Sequence, residues 1–134
     1  MADPNLKDKV EELIRDNQIL LFMKGTPESP ACGNSMRAVN VLESYGVEYA
    51  ALDVLPALQP LRDVTGEIAD WTTFPQLYVN GQLVGGADIV EELDESGELG
   101  QLLGAERAEP APQSAKQELQ AESPQQSPPI QIER

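Results

Sequence analysis

A run of apolar residues near the N-terminus, Ile19-Leu20-Leu21-Phe22-Met23, constrains the fold of this chain more than any other segment. An uninterrupted apolar run of this length, with polar residues on either side, is typical of a strand that is buried on both faces. Such a strand requires helices on both sides of its sheet. The preceding segment supplies one, because its apolar residues recur at helical spacing: Leu6, Val10, Leu13 and Ile14.

The same patterns predict the element order α-β-α-β-α-β-β-α. Asp3-Pro4 is expected to cap the first helix, which ends near Asn17. A loop is predicted from Lys24 to Ala31, and a second helix from about Cys32 to Gly46. Further elements follow: a strand over Val47 to Val54, a helix beginning after Pro56, two strands joined at Asn80-Gly81, and a last helix capped by Asp88. This order predicts an α/β fold with a four-stranded mixed sheet and helices on both faces.

The composition changes after residue 104. From Ala105 onward, Pro, Gln, Glu, Ser and Ala dominate, and few apolar residues are available for burial. Residues 1–104 are therefore predicted to form one domain, and residues 105–134 a disordered tail.

The charge balance excludes several classes of partner. The chain has 23 acidic and 9 basic residues, which gives a formal net charge of −14. Nucleic acids and anionic membrane surfaces are unfavourable partners for such a chain. The N-terminus is charged rather than apolar, so no signal peptide is expected, and no apolar run is long enough to span a bilayer. We expect a cytoplasmic protein.

The chain contains no histidine and one cysteine, Cys32. The absence of histidine excludes Ser-His-Asp and Cys-His nucleophile pairs and the ordinary zinc sites. At the start of a helix, the thiolate of Cys32 is favoured by the helix dipole and by unpaired backbone N–H groups. The thiolate is both a nucleophile and a metal ligand. Since one thiol cannot form an internal disulfide, Cys32 requires a partner from outside the chain for either chemistry.

Four motifs occur in this chain order: Lys24-Gly25-Thr26-Pro27, Cys32-Gly33-Asn34-Ser35, Trp71-Thr72-Thr73-Phe74-Pro75-Gln76 and Gly85-Gly86-Ala87-Asp88. Together they resemble the monothiol glutaredoxins with a Cys-Gly-Phe-Ser active site. The resemblance extends over nearly all of residues 1–104 and none of the tail. It implies a thioredoxin-like fold, in agreement with the predicted element order, and a groove for glutathione.

The resemblance assigns two cations to the glycine carboxylate of glutathione. Lys24 stands at the end of the first strand, and Arg62 lies nine residues before Trp71, as the family pattern requires. Two cations on one carboxylate form charge-assisted contacts, which are stronger than neutral hydrogen bonds. Without the motifs, Lys24 would be interpreted as a solvated strand end and Arg62 as part of a solvated helix face.

The same resemblance assigns the other end of the tripeptide. Phe74-Pro75 resembles the family's cis-proline turn, which leaves the Phe74 backbone free to pair with the cysteine of glutathione in the manner of an added strand. The alternative is an ordinary proline at a strand entry. Ala87 and Asp88 resemble the pair that holds the γ-glutamyl end, where Asp88 suits the ammonium group. A plain N-cap is the alternative role for Asp88.

The main departure from the family pattern is Asn34, at a position that is usually phenylalanine. This change removes apolar cover beside the thiol and adds a polar side chain. A second departure is Thr72, where proline is common; we expect it to matter less.

Two functions follow from the resemblance. In the first, two protomers and two glutathione molecules supply four thiolates to a 2Fe–2S cluster, which is then carried to iron–sulfur acceptor proteins, with Cys32 as the protein ligand. In the second, Cys32 is the nucleophile of a glutathione-dependent thiol–disulfide oxidoreductase. We rank cluster carriage first. A third interpretation, in which Cys32 is only a small buried residue, is disfavoured by the glutathione residues around it.

Overall fold

In a computed structural model of the protein, residues 2–106 are described; the predicted tail lies, from residue 107 on, outside them. The helices are α1 Pro4–Asp16, α2 Gly33–Ser44, α3 Leu58–Ala69, α4 Ala87–Ser96 and α5 Glu98–Leu103. The strands are β1 Ile19–Met23, β2 Gly25–Thr26, β3 Ser29–Pro30, β4 Ala50–Asp53, β5 Gln76–Val79 and β6 Gln82–Gly85. A 3₁₀ turn, Leu55–Ala57, precedes α3.

The predicted mixed sheet is confirmed. Its strand order is β4-β1-β5-β6, and β1 pairs in parallel with β4 and antiparallel with β5. The hairpin predicted at Asn80-Gly81 joins β5 to β6. Because β1 has a strand on each side and helices on each face, all five of its residues are buried, as its apolar run predicts.

Successive side chains of β1 point to opposite faces and contribute to two separate cores. Leu20 and Phe22 pack with residues of α1 and α3. Ile19, Leu21 and Met23 pack with residues of α2, α4 and α5. The helices α1 and α3 therefore cover one face of the sheet, and α2, α4 and α5 cover the other.

The predicted helix ends agree with the structure where a specific residue caps them. Asp3 accepts a hydrogen bond from the Asn5 amide at 3.0 Å and begins α1, with Pro4 as its first residue. Cys32 is the N-cap of α2. Gly46 follows the end of α2 with a φ of +66°, a left-handed conformation that glycine adopts at low cost.

Three local predictions are wrong, and one helix was not predicted. The segment predicted as a loop from Lys24 to Ala31 contains the short antiparallel hairpin β2–β3. The strand predicted over residues 47–54 is confined to β4, because Val47 and Tyr49 pack against the core without pairing in the sheet. The helix α5 was not predicted, although Leu99 and Leu103 are buried at helical spacing. Asp88 is not the cap of α4, because Gly86 holds that position and no side chain caps it.

The helices of the described region are short. The longest, α1, has 13 residues, and none of them combines the length and apolar character needed to cross a membrane.

Gly25 shapes the segment between β1 and Cys32. Its φ is +89°, and a β-carbon at this position would lie 2.6 Å from both the Ala31 nitrogen and the Ser29 oxygen. These backbone atoms cannot move away without opening the β2–β3 hairpin. The conformation that leads the chain from Lys24 to Cys32 therefore requires glycine.

We predict that Gly25→Ala lowers the free energy of unfolding by about 2 kcal/mol, because it combines a left-handed backbone with overpacking. Urea unfolding followed by circular dichroism measures the effect. Gly33→Ala is the matched control, since a β-carbon at Gly33 meets nothing within 4 Å. Equal stability of the two variants would contradict the role assigned to Gly25.

Candidate functional site

Cys32 lies at the N-terminus of α2, where its sulfur replaces the usual capping oxygen. Its Sγ accepts a hydrogen bond from the Ser35 amide at 3.4 Å. The Ser35 hydroxyl oxygen lies 3.4 Å from the same sulfur. The thiol is partly exposed, so the sulfur is stabilised from the protein side and accessible from solvent.

Ser35 joins the thiol to the end of β1. The Ser35 side chain is fully buried, and its oxygen accepts a hydrogen bond from the Lys24 amide at 3.0 Å. With that acceptor position filled, the hydroxyl proton is directed toward Sγ when the thiol is ionised. The Lys24 carbonyl in turn accepts from the Ala31 amide at 2.8 Å, which closes the β2–β3 segment against Lys24.

These contacts lower the pKa of the Cys32 thiol. Partial burial is the largest single effect and opposes ionisation. It is outweighed by hydrogen bonds from the Ser35 hydroxyl and from the backbone amides of Ser35 and Asn34, together with the positive charge of Lys24. The net result favours the thiolate, which is the form that acts as nucleophile and metal ligand.

Lys24 and Arg62, the two predicted carboxylate-binding cations, are half-buried and make no ion pair within residues 2–106. Both head groups are thus available to an external carboxylate. Lys24 acts on the thiol through its charge, whereas no contact joins the Arg62 side chain to Lys24 or Cys32.

The predicted turn at Phe74-Pro75 has a cis peptide bond. The Phe74 side chain is buried and meets the Phe22 ring edge-on, with 6.4 Å between ring centroids. No hydrogen bond involves the Phe74 amide or carbonyl within the described residues. The turn also approaches α4: a β-carbon on Gly86 would lie 3.4 Å from the Pro75 oxygen and 3.8 Å from the Trp71 ring.

A buried polar network that sequence reasoning missed anchors this turn to α3. The Gln76 amide nitrogen donates to the Thr65 hydroxyl at 3.2 Å and to the Trp71 carbonyl at 3.0 Å. The Tyr78 hydroxyl donates to the Gln76 amide oxygen at 2.8 Å. The Thr65 hydroxyl donates to the Leu61 carbonyl at 3.0 Å, within the same helix as Arg62. Gln76 and Thr65 are fully buried. The sequence signal for this network was a polar residue at each of two positions expected to be apolar, because buried polar groups require hydrogen-bond partners.

Arg37 is the second feature that sequence reasoning missed. It lies on α2 and reaches α4, where its guanidinium donates to Glu91 at 3.0 and 2.5 Å and to Asp88 at 2.8 Å. Its remaining terminal nitrogen donates to the Asn34 side-chain oxygen at 2.7 Å. The predicted ligand-binding carboxylate of Asp88 therefore already has a partner, while Ala87 is buried beside it in the first turn of α4.

The structure thus brings together most of the predicted site residues. Lys24 and Cys32 are joined through Ser35, and Asp88 is joined to the Cys32 end of α2 through Arg37. The Phe74-Pro75 turn lies against Gly86, directly before Ala87. Arg62 is connected to this assembly through its helix, by way of the Gln76 network.

Similarity to known proteins indicates the family of this chain. A glutaredoxin family model matches residues 19–84. The chain is 48% identical over 103 residues to a probable monothiol glutaredoxin 2 of Rickettsia typhi, a match covering 77% of this chain and 91% of the relative. It is 50% identical over 84 residues to the probable monothiol glutaredoxin GrlA of Legionella pneumophila, covering 63% and 93% respectively. The chain belongs to the monothiol glutaredoxins.

The fold of this glutaredoxin agrees with the family assignment. It superimposes with a TM-score of 0.66 on the solution structure of a monomeric truncated mutant of Trypanosoma brucei 1-C-Grx1. The two chains are 37% identical, and the match covers 81% of this chain and 97% of the other. The thioredoxin-like fold implied by the sequence motifs is confirmed.

We predict that Ser35→Ala raises the pKa of Cys32 in this glutaredoxin, because it removes the hydroxyl that stabilises the thiolate. At a fixed pH near the pKa of Cys32 in the wild type, a smaller fraction of the thiol is then ionised, and its alkylation by iodoacetamide slows. The rate of alkylation measured across a pH series gives the midpoint for each protein.

Ser44→Ala is the matched control for Ser35→Ala. Ser44 lies at the other end of α2 and donates to the Val41 carbonyl at 2.6 Å. Its removal is expected to leave the Cys32 midpoint unchanged. An equal shift in both variants would mean that Ser35 acts only through helix stability.

Proposed function

We propose that this monothiol glutaredoxin binds glutathione beside Cys32 and carries a 2Fe–2S cluster between two copies of the chain, for delivery to iron–sulfur acceptor proteins. The observation that carries the proposal is the pairing of a thiolate-favouring Cys32 with an unpaired cation, Lys24, at the adjoining strand end. The same arrangement accepts a thiol-containing peptide that carries a carboxylate.

Each part of the glutathione molecule has a chemically suitable partner in the site. Its glycine carboxylate suits Lys24 and Arg62, which make charge-assisted contacts. Its cysteine backbone suits the unpaired amide and carbonyl of Phe74. Its γ-glutamyl group suits the first turn of α4, where backbone N–H groups near Ala87 favour a carboxylate and Asp88 favours an ammonium.

The cluster is the cargo in this proposal, and this chain's ligand set limits how it is held. A 2Fe–2S cluster of the common kind requires four thiolates. The chain has one cysteine and no histidine, and residues 2–106 contain no cluster of His, Cys, Asp and Glu that could hold a metal ion. Two copies of Cys32 and two glutathione thiolates complete the set. Because half of the ligands are exchangeable, the cluster can be released to an acceptor.

We predict that anaerobic protein reconstituted with iron, sulfide and glutathione absorbs in the visible range and elutes as a dimer. Cys32→Ser should abolish both properties, because it removes the chain's only thiolate. Lys24→Gln should reduce cluster yield by roughly fivefold, the effect expected for one partly exposed charge contact.

Lys9→Gln is the matched control for Lys24→Gln. Lys9 lies on α1, which covers the face of the sheet opposite to α2 and Cys32. The control variant should reconstitute as the wild type does. A chromophore that persists in Cys32→Ser, or that forms equally well without glutathione, would contradict the proposed ligand set.

Asn34 gives a further test of cluster carriage. Its side chain is held by Arg37 at 2.7 Å and provides polar rather than apolar surface beside the thiol. We predict that Asn34→Phe lengthens the lifetime of the reconstituted cluster in air, because an aromatic ring excludes water from the cluster. The decay of visible absorbance measures the lifetime. An unchanged lifetime would mean that Asn34 has no effect on shielding.

A second candidate function is glutathione-dependent thiol–disulfide exchange, which the partly exposed, low-pKa thiol favours. The Cys32 thiolate would attack a glutathione mixed disulfide, take the glutathionyl group and release the target thiolate. A second glutathione thiolate would then regenerate Cys32 and leave as glutathione disulfide. Rapid turnover by colourless monomer in a glutathione-coupled assay would place this function first.

A further inference from the structure

The side-chain amide of Gln76 has a fixed orientation inside the protein. Gln76 is fully buried at the start of β5, a strand that pairs on both sides in the sheet. Its nitrogen donates to the Thr65 hydroxyl at 3.2 Å and to the Trp71 carbonyl at 3.0 Å, and its oxygen accepts from Tyr78 at 2.8 Å. Because the Thr65 hydroxyl gives its own proton to a carbonyl of α3, it accepts from Gln76. The amide therefore has one favoured orientation.

Few hydrogen bonds hold the segment that runs from Trp71 to Pro75. The Trp71 amide donates to the Thr65 carbonyl at 3.5 Å, which is long for such a bond. Within residues 2–106, no hydrogen bond involves the backbone of residues 72–74, and the buried indole N–H of Trp71 has no partner. The hydrogen bond from Gln76 to the Trp71 carbonyl is therefore the strongest polar contact that this segment makes with the rest of the described chain.

The bond between Gln76 and Trp71 closes the segment into a small loop. The two residues are five positions apart in sequence, and Phe74 lies between them. The Phe74 ring is buried against Phe22, so the segment is fixed at both of its ends. The unpaired amide and carbonyl of Phe74 are thus held in place before a ligand arrives. Without the bond to Trp71, a ligand would have to order the segment as it binds, and this cost lowers its affinity.

We propose that Gln76 is a positioning residue for glutathione: by holding the Trp71 carbonyl, it keeps the Phe74 backbone where the cysteine of the tripeptide pairs with it. This inference rests on the proposed binding of glutathione beside Cys32. Gln76 is fully buried and acts through the backbone of the segment. None of the groups that shift the pKa of Cys32 belongs to its network, so its effect falls on the affinity for the peptide and leaves the thiol unchanged.

The test compares two disulfides that react with the same thiolate. Glutathione disulfide carries the peptide groups that pair with Phe74, whereas bis(2-hydroxyethyl) disulfide has neither a peptide group nor a charge. In each case the Cys32 thiolate attacks one sulfur and the S–S bond breaks. The mixed disulfide with Cys32 forms, and the other half leaves as its thiolate. Intact-protein mass spectrometry after acid quenching gives both equilibrium constants. Their ratio, divided by that of the chain unfolded in urea, measures the preference of the folded protein for glutathione.

We expect the wild type to prefer glutathione, and Gln76→Met to reduce this preference roughly fivefold, the effect of one lost hydrogen bond. Tyr78→Phe is the matched control, because it removes a hydrogen bond from the same buried amide and leaves the bond to Trp71 in place. Urea unfolding should show that both variants are less stable than the wild type, yet Tyr78→Phe should keep the wild-type preference. The alkylation midpoint of Cys32 should be the same in all three proteins.

Gln76→Asn is the second variant, and it replaces Gln76→Met if that protein does not fold. It keeps a polar amide in the core, but the side chain is one methylene too short to hold the Trp71 carbonyl from β5. We expect it to lose the same part of the preference for glutathione.

Three outcomes overturn the inference and leave the glutathione site in place, provided that the wild type prefers glutathione. One is an unchanged preference in a folded Gln76 variant. Another is an equal loss in Tyr78→Phe, because the stability of the network is then the cause. The third is a shifted alkylation midpoint in Gln76→Met, because the thiol itself is then altered. A wild type with no preference for glutathione overturns the glutathione site and the inference together.

Discussion

The hydrogen bond from the Lys24 amide to the buried Ser35 hydroxyl oxygen holds the site together. It joins the first residue after β1 to the first turn of α2 at 3.0 Å, inside the protein. A buried oxygen that accepts from the backbone on one side has its proton available on the other, where the Cys32 sulfur lies. The Ser35 side chain therefore contacts both the thiol and the end of β1, and it adds to the backbone amides and the Lys24 charge that favour the thiolate.

Within the described residues, the cations of the site form two groups, one without ion-pair partners and one that is fully paired. Lys24 and Arg62 have no ion-pair partner within the described residues, so they are available to an incoming carboxylate. Arg37 is saturated by Glu91, Asp88 and Asn34. Its contacts with Glu91 and Asp88 raise the pKa of Arg37, and its hydrogen bonds lower the pKa of Glu91. The end of the site near the thiol is thus prepared for an anion, whereas the end near α4 combines one guanidinium with two carboxylates.

The sequence predicted those parts of the fold that are determined by local chemistry. The apolar run of β1, the Asp3 cap and the Asn80-Gly81 hairpin each have one favoured structure, and each is confirmed. The β2–β3 hairpin was missed because its two proline residues obscure a two-residue strand pairing. Val47 and Tyr49 were assigned to a strand because burial without sheet pairing gives the same apolar pattern.

The residues of the site were predicted, but the hydrogen bonds that connect them were not. Cys32 and Lys24 could be placed at the ends of adjacent elements, whereas the bonds of Ser35 to both depend on tertiary packing. Gln76 and Arg37 were missed for the same reason: their partners are 11 and 54 residues away in sequence. Asp88 was predicted as a helix cap from residue type alone, yet the backbone begins α4 two residues earlier than such a cap requires, and the Asp88 carboxylate pairs with Arg37.

The most direct test of this account is the ionisation midpoint of Cys32 in the wild-type protein, obtained from alkylation rates over a pH series. The same chain unfolded in urea provides the reference for an unstructured thiol. We expect the folded protein to have the lower midpoint, because Ser35 and the first turn of α2 stabilise the thiolate. A folded midpoint equal to or above that of the unfolded chain would contradict the account.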